Sequence, residues 1–357
     1  MEILRLHDLG GRPVRVCDWI AEHLHSSGIR RIYGLMGGGA AGLNDGFIKH
    51  GGLEYICFHH EQGAGHAATA EAKVTGKLAV VNPTTGCGGT NCMTSLLIAW
   101  QDGLPVLFLS GNVRKDQMSH HINLSMGTRI RKYGIQEHDI IETVSSTTKY
   151  AAVVSHASHV EMHLERAIAE ATSGRPGPVW LDVPSDIQTA MFPAQAYLPN
   201  PAAVPKQANP DSVAKVLSVL RSAERPVVIA GQGIKQSGTI ALFKELVERL
   251  EIPFVSSYGA RDLVPYDHPL NIGAIGLRGS RAGNFAMQAS DAVLVLGCSM
   301  NVMHVGYDIT TWAPMARKMV VDIDQNELRK GTIKYDVAVH ADLGSFLRTA
   351  LEITNGG

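Results

Sequence analysis

Short apolar runs alternate with longer stretches of helical periodicity along most of the chain. From position 14 to about 27, apolar residues recur every three or four positions and the pattern stops at Gly28, which predicts a helix. Strands are predicted at 31–34, 54–58, 78–82, 106–110 and 179–183, with helical stretches between them. The alternation returns further on, with strands at 226–230, 253–256, 292–296 and 318–323 and a helix at 239–250. Strands separated by helices imply parallel, doubly wound sheets, so the expected fold class is α/β with two such domains. Between 191 and 209, Pro, Ala and Gln accumulate without periodicity, which reads as a linker. The expected organisation is a first domain at 12–190, a linker at 191–209 and a second domain at 210–352.

Composition narrows the function classes. A chain of 357 residues has room for two proper cores. With 45% hydrophobic residues and a formal net charge of −1, neither nucleic acid nor an acidic membrane surface is expected as a partner. Apolar runs fall short of a bilayer span, and Met1-Glu2-Ile3-Leu4-Arg5 lacks a signal-peptide core. The five cysteines, at 17, 57, 87, 92 and 298, are odd in number and lack metal-site spacing. They are expected to be reduced thiols of a cytoplasmic protein, without a structural metal.

Candidate chemistry begins at an abrupt switch. The apolar strand ending at Phe58 runs through His59-His60-Glu61-Gln62 into Gly63-Ala64-Gly65-His66-Ala67-Ala68, whose small residues suit a closely packed helix. Glu61 thus falls at a strand end and a helix start, where open parallel sheets place ligand chemistry. Alone it reads equally as a first-turn glutamate favoured by the helix dipole. Other punctuation falls at Gly37-Gly38-Gly39, at Thr84-Thr85-Gly86-Cys87-Gly88-Gly89-Thr90-Asn91 and at Ser173-Gly174-Arg175-Pro176-Gly177-Pro178. In the second domain, Gly231-Gln232-Gly233 follows a strand, but the third glycine of a dinucleotide fingerprint is missing, so it is either a nucleotide turn or plain tight-turn chemistry.

Taken together and in this order, these motifs resemble thiamine-diphosphate enzymes of the acetolactate synthase type, over about 14 to 342. The resemblance implies a pyrimidine-binding domain followed by a Rossmann-like central domain. It makes Glu61 the carboxylate that hydrogen-bonds the cofactor's pyrimidine nitrogen, so that the aminopyrimidine can take the thiazolium C2 proton. By the same resemblance Gly37, Gly38, Thr85, Gly86, Cys87 and Asn91 lie against the pyrimidine, and Gln136 approaches the reacting substrate. The family usually has proline where Cys87 and Met36 stand, so the pocket walls differ here. Gln136 also reads as a solvated loop amide. His60 is a candidate proton shuttle beside Glu61, while His59 and His66 read as surface or core histidines. The segment from 112 to 136 is longer than in ordinary members by about twelve residues, judged from motif spacing. It carries Arg114, Lys115, His120, His121, Arg129, Arg131 and Lys132, either a solvated basic loop or a surface for a phosphorylated or nucleotide-bearing substrate.

The family's Gly-Asp-Gly and paired-asparagine signature, which holds magnesium and the diphosphate, does not occur in these 357 residues. The chain reads as either one subunit of a split enzyme or a piece of a longer one, and the expectation is a split carboligase, in which a partner subunit supplies the diphosphate-binding domain and Mg2+, assembled as a dimer core or heterotetramer. It would act on pyruvate or a similar 2-oxo acid and a carbonyl acceptor. A 2-oxo acid decarboxylase or lyase subunit and a non-catalytic binding protein are the alternative readings. FAD, carried by acetolactate synthases proper, is an open question, because Ser299 stands where the family has an arginine.

Overall fold

The computed structural model describes residues 13–194 and 205–355, which form two compact units. The first contains strands β1 (Pro13–Arg15), β2 (Arg31–Gly34), β3 (Glu54–Cys57), β4 (Ala79–Asn82), β5 (Val106–Asn112), β6 (Tyr150–Val153), β7 (Val179–Pro184) and β8 (Met191–Pro193). The second contains β9 (Pro226–Ala230), β10 (Phe254–Ser256), β11 (Asn271–Ala274), β12 (Ala292–Leu296), β13 (Arg317–Asp322) and β14 (Val337–His340). Each unit is built on a six-stranded, wholly parallel sheet, as the alternation of strands and helices predicts.

The first sheet has the order β3-β2-β4-β5-β7-β6. The chain winds outward from β2 to β3 and then crosses back to β4, so the β2/β4 pair is a topological switch point. Central strands are buried on both faces, as in Val106–Asn112, every residue of which is buried and whose first four are apolar. Helices cover both faces. Trp19, Ile20, Leu24 and Phe47 pack with Ile32, Val80 and Leu107 on one side. On the other, Ala64, Ala68 and Ala72 of helix Glu61–Thr75 pack with Val81, Phe108 and Trp180. The small residues bring this helix close to its neighbour Met93–Asp102, and a Cβ at Gly65 would run into the Ser95 hydroxyl.

The second sheet has the order β11-β10-β9-β12-β13-β14, the 3-2-1-4-5-6 arrangement of dinucleotide-binding domains. Its switch point lies between β9 and β12. Gly231 and Gly233 follow β9, and Gly297 follows β12. A Cβ at Gly233 would lie 2.9 Å from the Gly297 Cα, so these glycines let two strand-end turns touch.

Residues 191–193, expected in the linker, form β8 and pair antiparallel with β1. Positions 195–204 of that linker lie outside the described residues. Asn209 caps the next helix, Pro210–Ser222, accepting from the backbone N–H of Asp211 and of Ser212. All five cysteines are free thiols, and burial pushes Cys298 up to about 12. Among the described residues no helix is long and apolar enough to cross a membrane.

Candidate active site

The C-terminal ends of four adjacent strands, β3, β2, β4 and β5, lead into the turns that carry the sequence's candidate residues. Gly37, Gly38 and Gly39 follow β2, Glu61 follows β3, Thr84 to Asn91 follow β4, and Asn112 ends β5. The β2 and β4 turns flank the switch point and press on each other. A Cβ at Gly37 would lie 2.5 Å from the Thr84 side chain, and one at Gly39 would strike the Thr85 hydroxyl. Gln188, itself buried, fixes this crossing: its Nε2 donates to the Gly39 carbonyl at 2.6 Å and to the Val183 carbonyl at 2.8 Å, while its Oε1 accepts from Leu43 N–H.

Glu61 is the first residue of a fifteen-residue helix and is only 6% exposed. The helix dipole favours a carboxylate there. Asn91 Nδ2 donates to Glu61 Oε2 at 2.9 Å. Oε1 faces Gly88, where a Cβ would come within 3.1 Å, and makes no hydrogen bond among the described residues. The Thr85 Oγ1 is likewise buried without a hydrogen-bond partner. One oriented carboxylate oxygen and one buried hydroxyl, both without hydrogen-bond partners among the described residues, lie in the turns after β3 and β4, which flank β2. They fit a nitrogen heterocycle that both accepts and donates hydrogen bonds.

His60 is exposed and is the N-cap of the same helix, its Nδ1 accepting from Gln62 N–H at 3.1 Å. That bond fixes the unprotonated nitrogen as Nδ1 and leaves Nε2 as the only one able to exchange a proton outward. His59 is exposed and His66 half-buried. Cys87 is exposed at the start of the short helix Cys87–Thr90, and Met36 is exposed as well.

Gln136 reaches the site through its backbone. Its φ is +58°, a conformation that costs a non-glycine residue about 1–3 kcal/mol. Its carbonyl sits where a Cβ on Gly86 would be. Neighbouring Glu137 anchors the loop, accepting from the Ser119 hydroxyl at 3.1 Å and from Tyr133 N–H at 3.0 Å. The Gln136 side chain is exposed. In the long basic segment, His120 pairs with Asp139 and Arg114 with Asp116. Arg129, Arg131 and Lys132 are exposed and make no ion pair among the described residues.

A polar network beneath the site was not singled out in the sequence. Asp182, fully buried on β7, accepts from the Ser110 hydroxyl and from Asn112 Nδ2 at 2.6 Å. Trp180 Nε1 donates to the same Ser110, and Asn112 Nδ2 also reaches the His138 carbonyl at 3.4 Å. The signal was available: a lone carboxylate within the apolar run Val179–Pro184 requires buried partners. Desolvation pushes the Asp182 carboxyl up to about 6, against the lowering effect of its two donors. Between about pH 4 and 6 the folded chain therefore holds a proton that the unfolded chain has lost, so Asp182's contribution to stability falls as pH rises through that window. Denaturant titrations across this range should show that slope in the wild type and not in Asp182→Asn; identical pH profiles would contradict the assignment.

Comparison with known proteins gives the family of the chain. Residues 14–143 match the family model for the thiamine pyrophosphate enzyme N-terminal TPP binding domain, and residues 213–350 match the one for the central domain. The chain belongs to the thiamine pyrophosphate enzyme family, thiamine pyrophosphate being another name for thiamine diphosphate. It is 32% identical over 335 residues to the acetolactate synthase isozyme 1 large subunit of Escherichia coli K12, covering 92% of this chain and 56% of that protein. It is 32% identical over 349 residues to the acetolactate synthase large subunit of Lactococcus lactis, covering 96% and 58%. With a probable acetolactate synthase large subunit of Methanocaldococcus jannaschii it shares 30% over 339 residues, covering 93% and 55%. The chain spans a little over half the length of these curated relatives.

Proposed function

We propose that this chain supplies the cofactor-activating site of a thiamine-diphosphate-dependent carboligase. The enzyme would decarboxylate pyruvate or a similar 2-oxo acid and transfer the acyl unit to a carbonyl acceptor. The observation that carries the reading is Glu61: nearly buried, held by Asn91 through one oxygen, and offering the other with no hydrogen-bond partner among the described residues. When bound, thiamine diphosphate supplies a carbanion that can add to a carbonyl, provided its aminopyrimidine is tautomerised. In this proposal Glu61 Oε1 shares a proton with the pyrimidine ring nitrogen, and Asn91 keeps that oxygen directed. The buried Thr85 hydroxyl and the backbone of Gly37, Gly38, Gly86 and Cys87 would seat the ring. His60 would relay protons through Nε2, and Gln136 would stand on the substrate side. At 6% exposure Glu61 itself is largely shielded from bulk water.

The magnesium and diphosphate ligands would come from protein outside these 357 residues, within a dimer core or a heterotetramer. The relatives are named as large subunits, which favours assembly with other chains. FAD does not enter the proposed chemistry. Ser299 donates its hydroxyl to Glu327 at 2.9 Å, and that carboxylate pairs with Lys330, so a serine engaged with a local ion pair stands where the resemblance expects an arginine.

Product analysis tests the reaction type. Incubated with thiamine diphosphate, Mg2+ and pyruvate, the complete enzyme should release CO2 together with acetolactate or another acyloin. Acetaldehyde as the sole organic product would make it a decarboxylase. No CO2 from any 2-oxo acid tried would favour a binding protein.

A further inference from the structure

At the opposite end of the first sheet from Glu61, where the strands begin, three ligand-type side chains converge. Glu22 and His25 lie one turn apart on helix Val16–Ser26, and His50 is the last residue of helix Ala41–His50. One potential ligand atom from each lies within 4.8 Å of the others. The Glu22 and His50 side chains are each 6% exposed and joined through Oε2 and Nε2 at 2.8 Å. His25 is half-buried, its ring centroid 4.8 Å from that of His50, and leaves a path to solvent.

We propose that Glu22, His25 and His50 form a binding site for a divalent transition ion of the zinc class. Two imidazoles and one carboxylate are the donor set such ions select over magnesium or calcium. The three groups come from two packed helices, so their positions are preset by the core rather than by a loop. Glu22 is oriented by a second contact, since the Ser26 hydroxyl donates to its Oε1 at 2.8 Å, leaving Oε2 for the ion. Three protein ligands leave the fourth tetrahedral position to water on the His25 side.

The turn that follows His50 is built for the change that ligation requires. Gly52 N–H donates to His50 Nδ1 at 3.2 Å, so Nε2 bears the ring proton and donates it to Glu22. Binding the ion through Nε2 moves that proton to Nδ1, and the Gly52 N–H must turn away. Gly51, at φ +74°, and Gly52 can rotate the peptide between them. A Cβ at Gly52 would lie 2.8 Å from His25 Nε2 and 3.1 Å from His50 Cε1, so only glycine leaves both rings their room. An ion held here would clamp two of the helices that cover one face of the first sheet, away from the reacting groups.

Titration of the metal-stripped full chain with Zn2+ by calorimetry, and with Co2+ by visible spectroscopy, tests the site. One ion per chain is expected, with cobalt ligand-field bands and no thiolate charge-transfer band, because the five cysteines take no part. His25→Ala and Glu22→Gln should each weaken binding by at least about tenfold. His25 is half-buried, so its variant should fold normally; Glu22→Gln removes the ligand charge with little change of shape. Absence of saturable binding, a thiolate band, or wild-type affinity in both variants would overturn the proposal.

Discussion

Glu61→Gln is expected to lower turnover of the complete enzyme by about 10²–10⁴-fold, the range for removing a positioned acid or base. The fold should not change. The glutamine carbonyl can still accept the Asn91 amide, so the helix start and its 2.9 Å contact persist. What changes is the other atom: the unpaired carboxylate oxygen beside Gly88 becomes an NH2 group, which donates and cannot share a proton with a ring nitrogen. Steady-state rates at saturating cofactor, with a thermal melt as control, separate the two effects. A rate within a few-fold of wild type at an unchanged melting temperature would remove Glu61 from the chemistry.

Gly86→Ala should have the second largest effect, through both strain and collision. Gly86 sits at φ +57°, ψ −106°, a region open to glycine alone, and its missing Cβ is the space occupied by the Gln136 carbonyl. Forcing a methyl group in should cost about 3 kcal/mol from backbone strain and overpacking together. The loop from Tyr133 to Glu137 must then move away from the strand-end turns. A lower denaturation midpoint and reduced turnover are expected together. Wild-type stability in this variant would mean that the two turns do not meet.

The strands of both sheets that sequence patterning missed are β6, β11 and β14, and all three are edge strands. Each position of Tyr150–Val153 is half-buried, Asn271–Ala274 contains Asn and Gly, and Val337–His340 alternates between buried and more exposed positions. Asn271–Ala274 and Val337–His340 interrupt their apolar residues with Asn, Gly or His, and the apolar run Tyr150–Val153 is half alanine, a residue of low strand preference, unlike the bulky run Val106–Leu109. In the first unit, the place of Glu61 at a strand end and helix start was legible from its surroundings, whereas Thr85, Gly86 and Asn91 were named through the family resemblance. Gln188 and Asp182 were harder to read. Their partners lie far off in sequence, from Gln188 to the Gly39 carbonyl and from Asp182 to Ser110 and Asn112, and only the folded sheet brings them together. His60 shows the converse. Its type suggested proton traffic, whereas its Nδ1 has a local task as helix cap, which follows from its place just before Glu61.

The most direct test of the account is exchange of the cofactor's C2 proton for deuterium, followed by NMR in the complete enzyme with thiamine diphosphate and Mg2+ but no 2-oxo acid. This isolates cofactor activation from substrate binding and product release. The account predicts fast exchange in the wild type and exchange slowed toward the rate of free cofactor in Glu61→Gln, with cofactor still bound. Equal exchange rates in the two proteins would contradict it.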